Sequence, residues 1–349
     1  VGCSELIAQH RRITFRKTVT VLVLCLIASC AFALSMAVGA VPLGVGEVVR
    51  GIFHPGALDE RTYTILWELR LPMAVMALLI GMSLSLAGAQ MQTILGNPLA
   101  EPFTLGISAA AAFGAATAIV LQLPAAAGGR QFGPALAAWT VAAAATVLIA
   151  VAAVLRGAKA ETMVLLGIGL VFFFQALLAL IQYRASAEAL SQIVYWSMGS
   201  MTRANWTANA VLAAVLFAVV PVLGAQSRNL TALRLGDGRA AAMGINTSRL
   251  RITVLILVSL LAATTVAFAG IIGFVGLVGP HIARMLVGED QRYFIPAAMA
   301  CGAAVMCCSH ALSLTVKPGL AIPIGIVTAL LGVPFFVTIV MIRRRAQWS

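Results

Sequence analysis

Charge is scarce in this chain. Only 10% of its 349 residues are Asp, Glu, Lys or Arg, while 61% are hydrophobic. A soluble domain carries about 25% charged and about 45–50% apolar residues. Too few charges remain to coat a water-facing surface, which excludes a soluble globular enzyme and a disordered chain. Acids are the rarer sign, 11 against 23 bases, for a net charge of +12. The apolar content excludes a nucleic-acid module despite that excess. Lysine is nearly absent: Lys17, Lys159 and Lys317 are the whole set, and neither Lys159 nor Lys317 follows a Gly-rich turn. With no G-x-x-x-x-G-K-[ST] loop, an ATP-driven activity would need its nucleotide on another chain. H-E-x-x-H and C-x-x-C are also missing. The six cysteines do not form a disulfide framework. Cys25 and Cys30 share one apolar run and Cys301, Cys307 and Cys308 another, so they read as small buried apolar residues. Cys307-Cys308-Ser309-His310 is the one Cys/His cluster. Adjacent helical residues point about 100° apart, so no metal site is expected there, and His310 is expected to pack between helices or face a loop rather than relay protons.

What is abundant falls in long apolar runs, which predict an all-α polytopic membrane protein. A β-barrel is excluded, because its strands alternate apolar and polar residues over about ten positions. The runs cover 18–40, 71–92, 104–123, 134–155, 162–183, 208–225, 250–270, 272–287, 294–315 and 323–342, ten transmembrane helices in this reading. The eighth is short and carries Gly279-Pro280. The first exceeds the about 7–15 residues of a signal-peptide core and is expected to remain as a span. An even number of spans puts both termini on one side. With that side cytoplasmic, most of the 23 basic residues fall inside, as the positive-inside rule requires.

Two connecting segments are long: 41–70, outside in this reading, and 226–251, inside. In the second, Gly236, Gly238 and Gly244 punctuate Leu, Ala and Met, which predicts two short helices around a tight turn. A further short helix is predicted over 187–198, with Leu190, Ile193 and Trp196 on one side. No ionisable residue sits in the middle of a span, which argues against a proton- or ion-coupled carrier. No nucleophile–base pair supports an intramembrane enzyme. Gln175, Gln182 and Tyr183 cluster in the fifth run; Gln90 and Gln92 lie in the second. A buried amide in lipid needs a partner or water, so the fifth span is expected to line a translocation path.

Three stretches carry a pattern. The first is Glu68-Leu-Arg-Leu-Pro72, then a small-residue span, then Leu95-Gly-Asn-Pro-Leu-Ala-Glu-Pro102-Phe-Thr-Leu-Gly-Ile-Ser108. Pro72 is expected to start a helix, where its missing N–H costs nothing. Asn97-Pro98 and Glu101-Pro102 predict a tight turn. The second, Gly270 to Arg284, has glycines at 270, 273, 276 and 279. The third is Ile322-Pro-Ile-Gly-Ile-Val-Thr-Ala-Leu-Leu-Gly-Val-Pro-Phe-Phe336. In this order and spacing, over about residues 60–343, the chain resembles the FecCD family, the permease subunits of type II ABC importers for iron-siderophores, haem and cobalamin.

The resemblance implies a single transmembrane permease domain over 1–349, with the type II ABC importer permease fold. It implies a homodimer in the bacterial inner membrane with both termini cytoplasmic, two ATP-binding subunits, and a periplasmic or lipid-anchored substrate-binding protein. ATP and Mg would sit on the partner ATPase, with no cofactor and no catalytic residue on this chain. It assigns a cytoplasmic gate to Asn97, Pro98 and Leu99 and a second to Ala160 and Glu161. It assigns ATPase coupling to the 226–249 loop, through Leu235, Gly236, Arg239, Ala240, Met243 and Gly244. Arg70 would meet an acid on the binding protein, with Lys317 assisting. Met73, Ala321 and His310 stand where the family commonly has an arginine, an acid and an aspartate. The expected activity is import of an iron chelate; a cobalamin permease and a secondary transporter are the alternatives.

Overall fold

Inside a bilayer an N–H or C=O without a protein partner finds no water, so apolar runs close on themselves as helices. The computed structural model describes residues 3–39, 41, 44–123, 132–156, 159–316 and 321–347. Among these residues the regular elements are all helical. In chain order the first are α1 (Cys3–Ala37), α2 (Val45–Phe53), α3 (Glu60–Tyr63), α4 (Leu71–Leu95), α5 (Ile107–Val120), α6 (Phe132–Arg156) and α7 (Ala160–Arg184). Then come α8 (Ala187–Ser197), α9 (Trp206–Ala225), α10 (Ser227–Leu233), α11 (Asp237–Ala242), α12 (Thr247–Ala269), α13 (Val275–Val287), α14 (Gln291–Thr315) and α15 (Ile324–Gln347). Seven described helices are long and apolar enough to cross a membrane; Ile107–Val120, Val275–Val287 and Ile324–Thr338 are shorter apolar ones.

Polar side chains set the helix starts. Ser186 accepts from Ala189 N–H at α8, Asn205 from Ala208 N–H at α9, and Asn246 from Arg249 N–H at α12. Each is an N-cap that satisfies one donor otherwise left orphaned in the first turn. Gly96, at φ +61, ends α4 in the left-handed region that favours glycine.

Among the described residues the 41–70 segment is largely helical. Pro72 falls in the first turn of α4, as expected, but the chain is already helical before it: the second span starts at Glu60, capped by Asp59, and runs unbroken to Leu95. A π-helical stretch at Thr64–Arg70 precedes the proline. Pro72 lacks an N–H and crowds the carbonyl one turn back. The wider turn loosens the i→i−4 ladder there, and Leu71 N–H bonds to Leu66 instead.

α4 is the axis of the bundle, buried on nearly every side, with α9, α12, α13 and α14 around it. α1 lies along α14, α6 joins α5 to α12, and α7 leans on α5 with most of its surface uncovered. α13 has 13 residues, roughly 20 Å at 1.5 Å per residue, too short for a core of about 30 Å. Gly270–Phe274 ahead of it is not helical. Its first turn therefore starts inside the bundle, with Gly276 against Gly88 of α4. His310 is buried, its Nδ1 2.7 Å from Ser35 Oγ on α1, an interhelical contact as expected.

Candidate coupling and gate region

Arg234, Arg251, Arg284, Arg292 and Lys17 collect at one end of the bundle, with their ionic or aromatic partners. At this basic end α4 stops at Leu95, and Gly96 turns the chain into Asn97-Pro98-Leu99, all exposed. Asn97 Oδ1 accepts from Leu99 N–H at 2.9 Å, which holds the turn. A 3-10 turn, Pro102–Leu105, follows and packs on α7, where Gly167 admits Leu105 and the Thr104 carbonyl. Ala160 and Glu161 open that same helix, with Glu161 in its first turn. Both expected gate segments thus flank the base of α7.

The 226–249 segment folds as expected into two short helices, α10 and α11, with Gly236 at φ +100 between them. That value lies outside the range comfortable for a residue with a Cβ. Ala240 is fully buried under α11, while Leu235, Arg239, Met243 and Gly244 are exposed. Leu235 and Met243 thus put two exposed apolar side chains on a hairpin at the charged end.

Two polar lines join this unit to the end of α4. In the first, the Arg251 guanidinium on α12 donates to both Asp237 carboxylate oxygens of α11 at 2.7 Å, and its Nε donates to the Ile94 carbonyl at 2.8 Å. Ile94 is one of the last residues of α4, whose carbonyls have no intrahelical donor. In the second line, Arg234, just past the end of α10, pairs with Glu289, and Arg284 of α13 lies 3.4 Å from the same carboxylate. Arg284 also donates to Gln92 Oε1 at 2.8 Å. Gln291 joins Thr231 of α10 to Thr93 of α4 through bonds of 3.1 Å, and accepts from Gln90 at 2.9 Å. These two lines tie α10 and α11 to the last two turns of α4, next to the Asn97 turn.

Arg251, Asp237, Arg234, Arg284, Glu289 and Gln291 were not singled out from sequence. One signal was present: Asp237 is the only acid between 226 and 251. Gln90 and Gln92 were noted, and each finds a protein partner.

Other expected site residues lie elsewhere. Gln175 and Tyr183 are exposed and Gln182 half-buried on α7, with no polar cluster around them among the described residues. Arg70, expected to meet an acid on a binding protein, is 5% exposed in this chain. It donates to the Met36 and Ala37 carbonyls at 3.2 Å and to the Val41 carbonyl. α1 ends at Ala37, so its last carbonyls need donors, and the long guanidinium arm supplies them. Lys317 lies outside the described residues.

Glu101, beside the gate turn, has an Oε2 sealed from solvent and without a hydrogen bond among the described residues. Burial pushes its carboxyl from the ordinary 4.5 up to about 7. Between those values the folded protein keeps a proton that the unfolded chain has lost. Stability is thus full at low pH, falls as pH rises through that window, and levels off above about pH 7. Glu101→Gln, always neutral, is expected to raise the unfolding temperature in detergent at pH 8, by up to about 3 kcal/mol of stability. At pH 4.5 the gain should vanish. A gain that is the same at both pH values would refute the buried-carboxyl account.

The model of the FecCD transport family matches residues 24–342. The vitamin B12 import system permease protein BtuC of Vibrio cholerae is 34% identical over 302 residues, 84% of this chain and 87% of that protein. The hemin transport system permease protein HmuU of Yersinia pestis is 30% identical over 323 residues, 90% of this chain and 94% of that one. A solved metal-chelate type ABC transporter in an inward-facing conformation superposes with a TM-score of 0.80 at 29% identity, covering 93% of this chain and 99% of its own. Because the match runs through the Asn97 turn, the paired short helices and the broken α13 alike, the chain belongs to the FecCD transport family, the permease subunits of ABC importers.

Proposed function

We propose that this chain is the permease of an importer that moves an iron chelate, haem or a ferric siderophore, across the inner membrane by alternating access. Ten helices span the bilayer, with the basic end and both termini in the cytoplasm, following the positive-inside rule. Two copies enclose the path, and the uncovered face of α7, with Gln175, Gln182 and Tyr183, lines it. Two ATP-binding subunits dock on the basic end and carry ATP and Mg. A periplasmic or lipid-anchored binding protein delivers substrate to the other end. ATP-driven closure of the ATPase pair displaces α11, and the Arg251 bridge passes that displacement to the Asn97–Leu99 gate and its counterpart at Ala160-Glu161.

The observation that carries this reading is the α10–α11 hairpin, with Leu235 and Met243 exposed and Arg251 tying it to α4. A cobalamin permease is the second reading, favoured by the 34% identity to the Vibrio cholerae protein. Proteoliposomes holding the chain with its ATPase and binding protein test both. Uptake of radio-iron haem should require ATP and survive collapse of the proton gradient. Leu235→Asp with Met243→Asp should lower uptake and ATPase co-purification by at least about tenfold, the scale of losing an interface anchor, while membrane insertion is unchanged. Normal co-purification of that double variant would sink the docking assignment.

A further inference from the structure

At the end away from the basic cluster lies a cavity of about 680 Å³, bounded by α8, the 198–205 turn, the ends of α5 and α12, and the approach to α15. Small-molecule sites run about 300–1,000 Å³. Most of the wall is apolar, but one side carries Gln192, Tyr195, Trp196, Ser200, Thr202 and Arg203. Arg203 stands with Cζ 5.6 Å from the centre of the Trp196 ring. Its Nη2 donates to the Trp196 carbonyl at 3.2 Å and reaches the Ala269 carbonyl at 3.5 Å. Among the described residues no hydrogen bond uses Nε or Nη1, and no carboxylate pairs with the guanidinium. Burial pulls its pKa down to about 10, which leaves it a cation at neutral pH. Arg203 is half-buried, a cation on the cavity wall with donors to spare. Backbone carbonyls offer only partial charge; a carboxylate would add a full counter-charge through Nε or Nη1.

We propose that this cavity is a binding station for the transported chelate, in which Arg203 takes a carboxylate of the ligand while Tyr195 and the apolar wall cover its body. The proposal rests on the iron-chelate reading above and narrows it to carboxylate-bearing chelates. Cobalamin, whose ring carries amides, offers Arg203 no such group.

The test uses the full chain in lipid nanodiscs, with empty discs subtracted. Haem, which carries propionates, its dimethyl ester, which has none free, and cyanocobalamin are titrated and read by tryptophan quenching. Haem should bind at least about tenfold more tightly than the ester, as expected for a desolvated charge pair. Arg203→Gln should bring haem to the level of the ester and leave the ester unchanged, and Arg203→Lys should recover part of the difference. Equal affinity of haem and ester for the unaltered chain overturns the proposal without any variant, and so does a failure of haem to bind. Uptake by the assembled transporter separates the two readings. Haem uptake untouched by Arg203→Gln retires the site and keeps the iron-chelate permease; uptake of cyanocobalamin alone retires both.

Discussion

Arg251→Met should break the link between ATP hydrolysis and transport. The arginine is 7% exposed, and three of its donors are committed to Asp237 and the Ile94 carbonyl. Removing it strands that carbonyl at the buried end of α4, at a cost of about 1–3 kcal/mol. Asp237 is half exposed and can rehydrate, so the total falls short of the 3–5 kcal/mol or so lost when a fully buried pair is broken. The functional loss should be larger than the loss of stability. Uptake per ATP hydrolysed should drop by more than about tenfold, because α11 would then move without carrying α4 along. Arg251→Lys keeps the charge but cannot serve two carboxylate oxygens and a carbonyl together, so it should fall between. Uptake and phosphate release measured on the same proteoliposomes decide the matter. An unchanged ratio would show that the bridge only holds the fold together.

Gly88→Ala should remove most of the folded protein. A Cβ at residue 88 would overlap the Gly276 carbonyl, and that carbonyl belongs to the backbone of the first turn of α13. Backbone wedged between α4 and α14 cannot step aside as a flexible side chain can. The same seam brings Gly81 of α4 against Gly302 of α14. Overpacking a core with one methyl group costs about 1–3 kcal/mol when side chains can yield, and more is expected here. Gly169→Ala on α7 is the contrast, since nothing lies within 4 Å of its added Cβ. That change should be neutral or gain up to about 1 kcal/mol of helix propensity. The yield of monodisperse protein and its unfolding temperature in detergent report both. If Gly88→Ala melts like the unaltered chain, the close crossing of α4 and α13 is not a feature of the native bundle.

Several elements were legible because their causes are local. The α8 helix, the α10–α11 hairpin and the Asn97 turn follow from residues adjacent to them: Ser186, Gly236, Asn97 and Gly96. The weakness of the eighth run was legible too, but not its use. Glycines at 270, 273, 276 and 279 announced close packing or broken helix, and the structure has both, an unwound stretch and then a short helix against α4. Pro72 marked the first turn of α4 but not the helix ahead of it. The Thr64–Arg70 π stretch that accommodates it leaves no mark in composition.

Composition dictates that this protein folds in lipid, and hydropathy and caps place most of its helices, because in lipid each backbone group must be satisfied by near neighbours. Which polar side chains face each other follows only from how the helices pack. Gln90 meets Gln291, Arg251 meets Ile94, and Ser35 meets His310 across separations of 201, 157 and 275 residues. Arg70, expected to meet an acid on a partner, turns in to the end of α1, and Arg203 stands in the cavity at the end away from the basic cluster. A side chain's partner depends on how helices cross, and crossings are set by the packing of small residues on many helices at once. That information is spread over the whole chain and belongs to no segment of it.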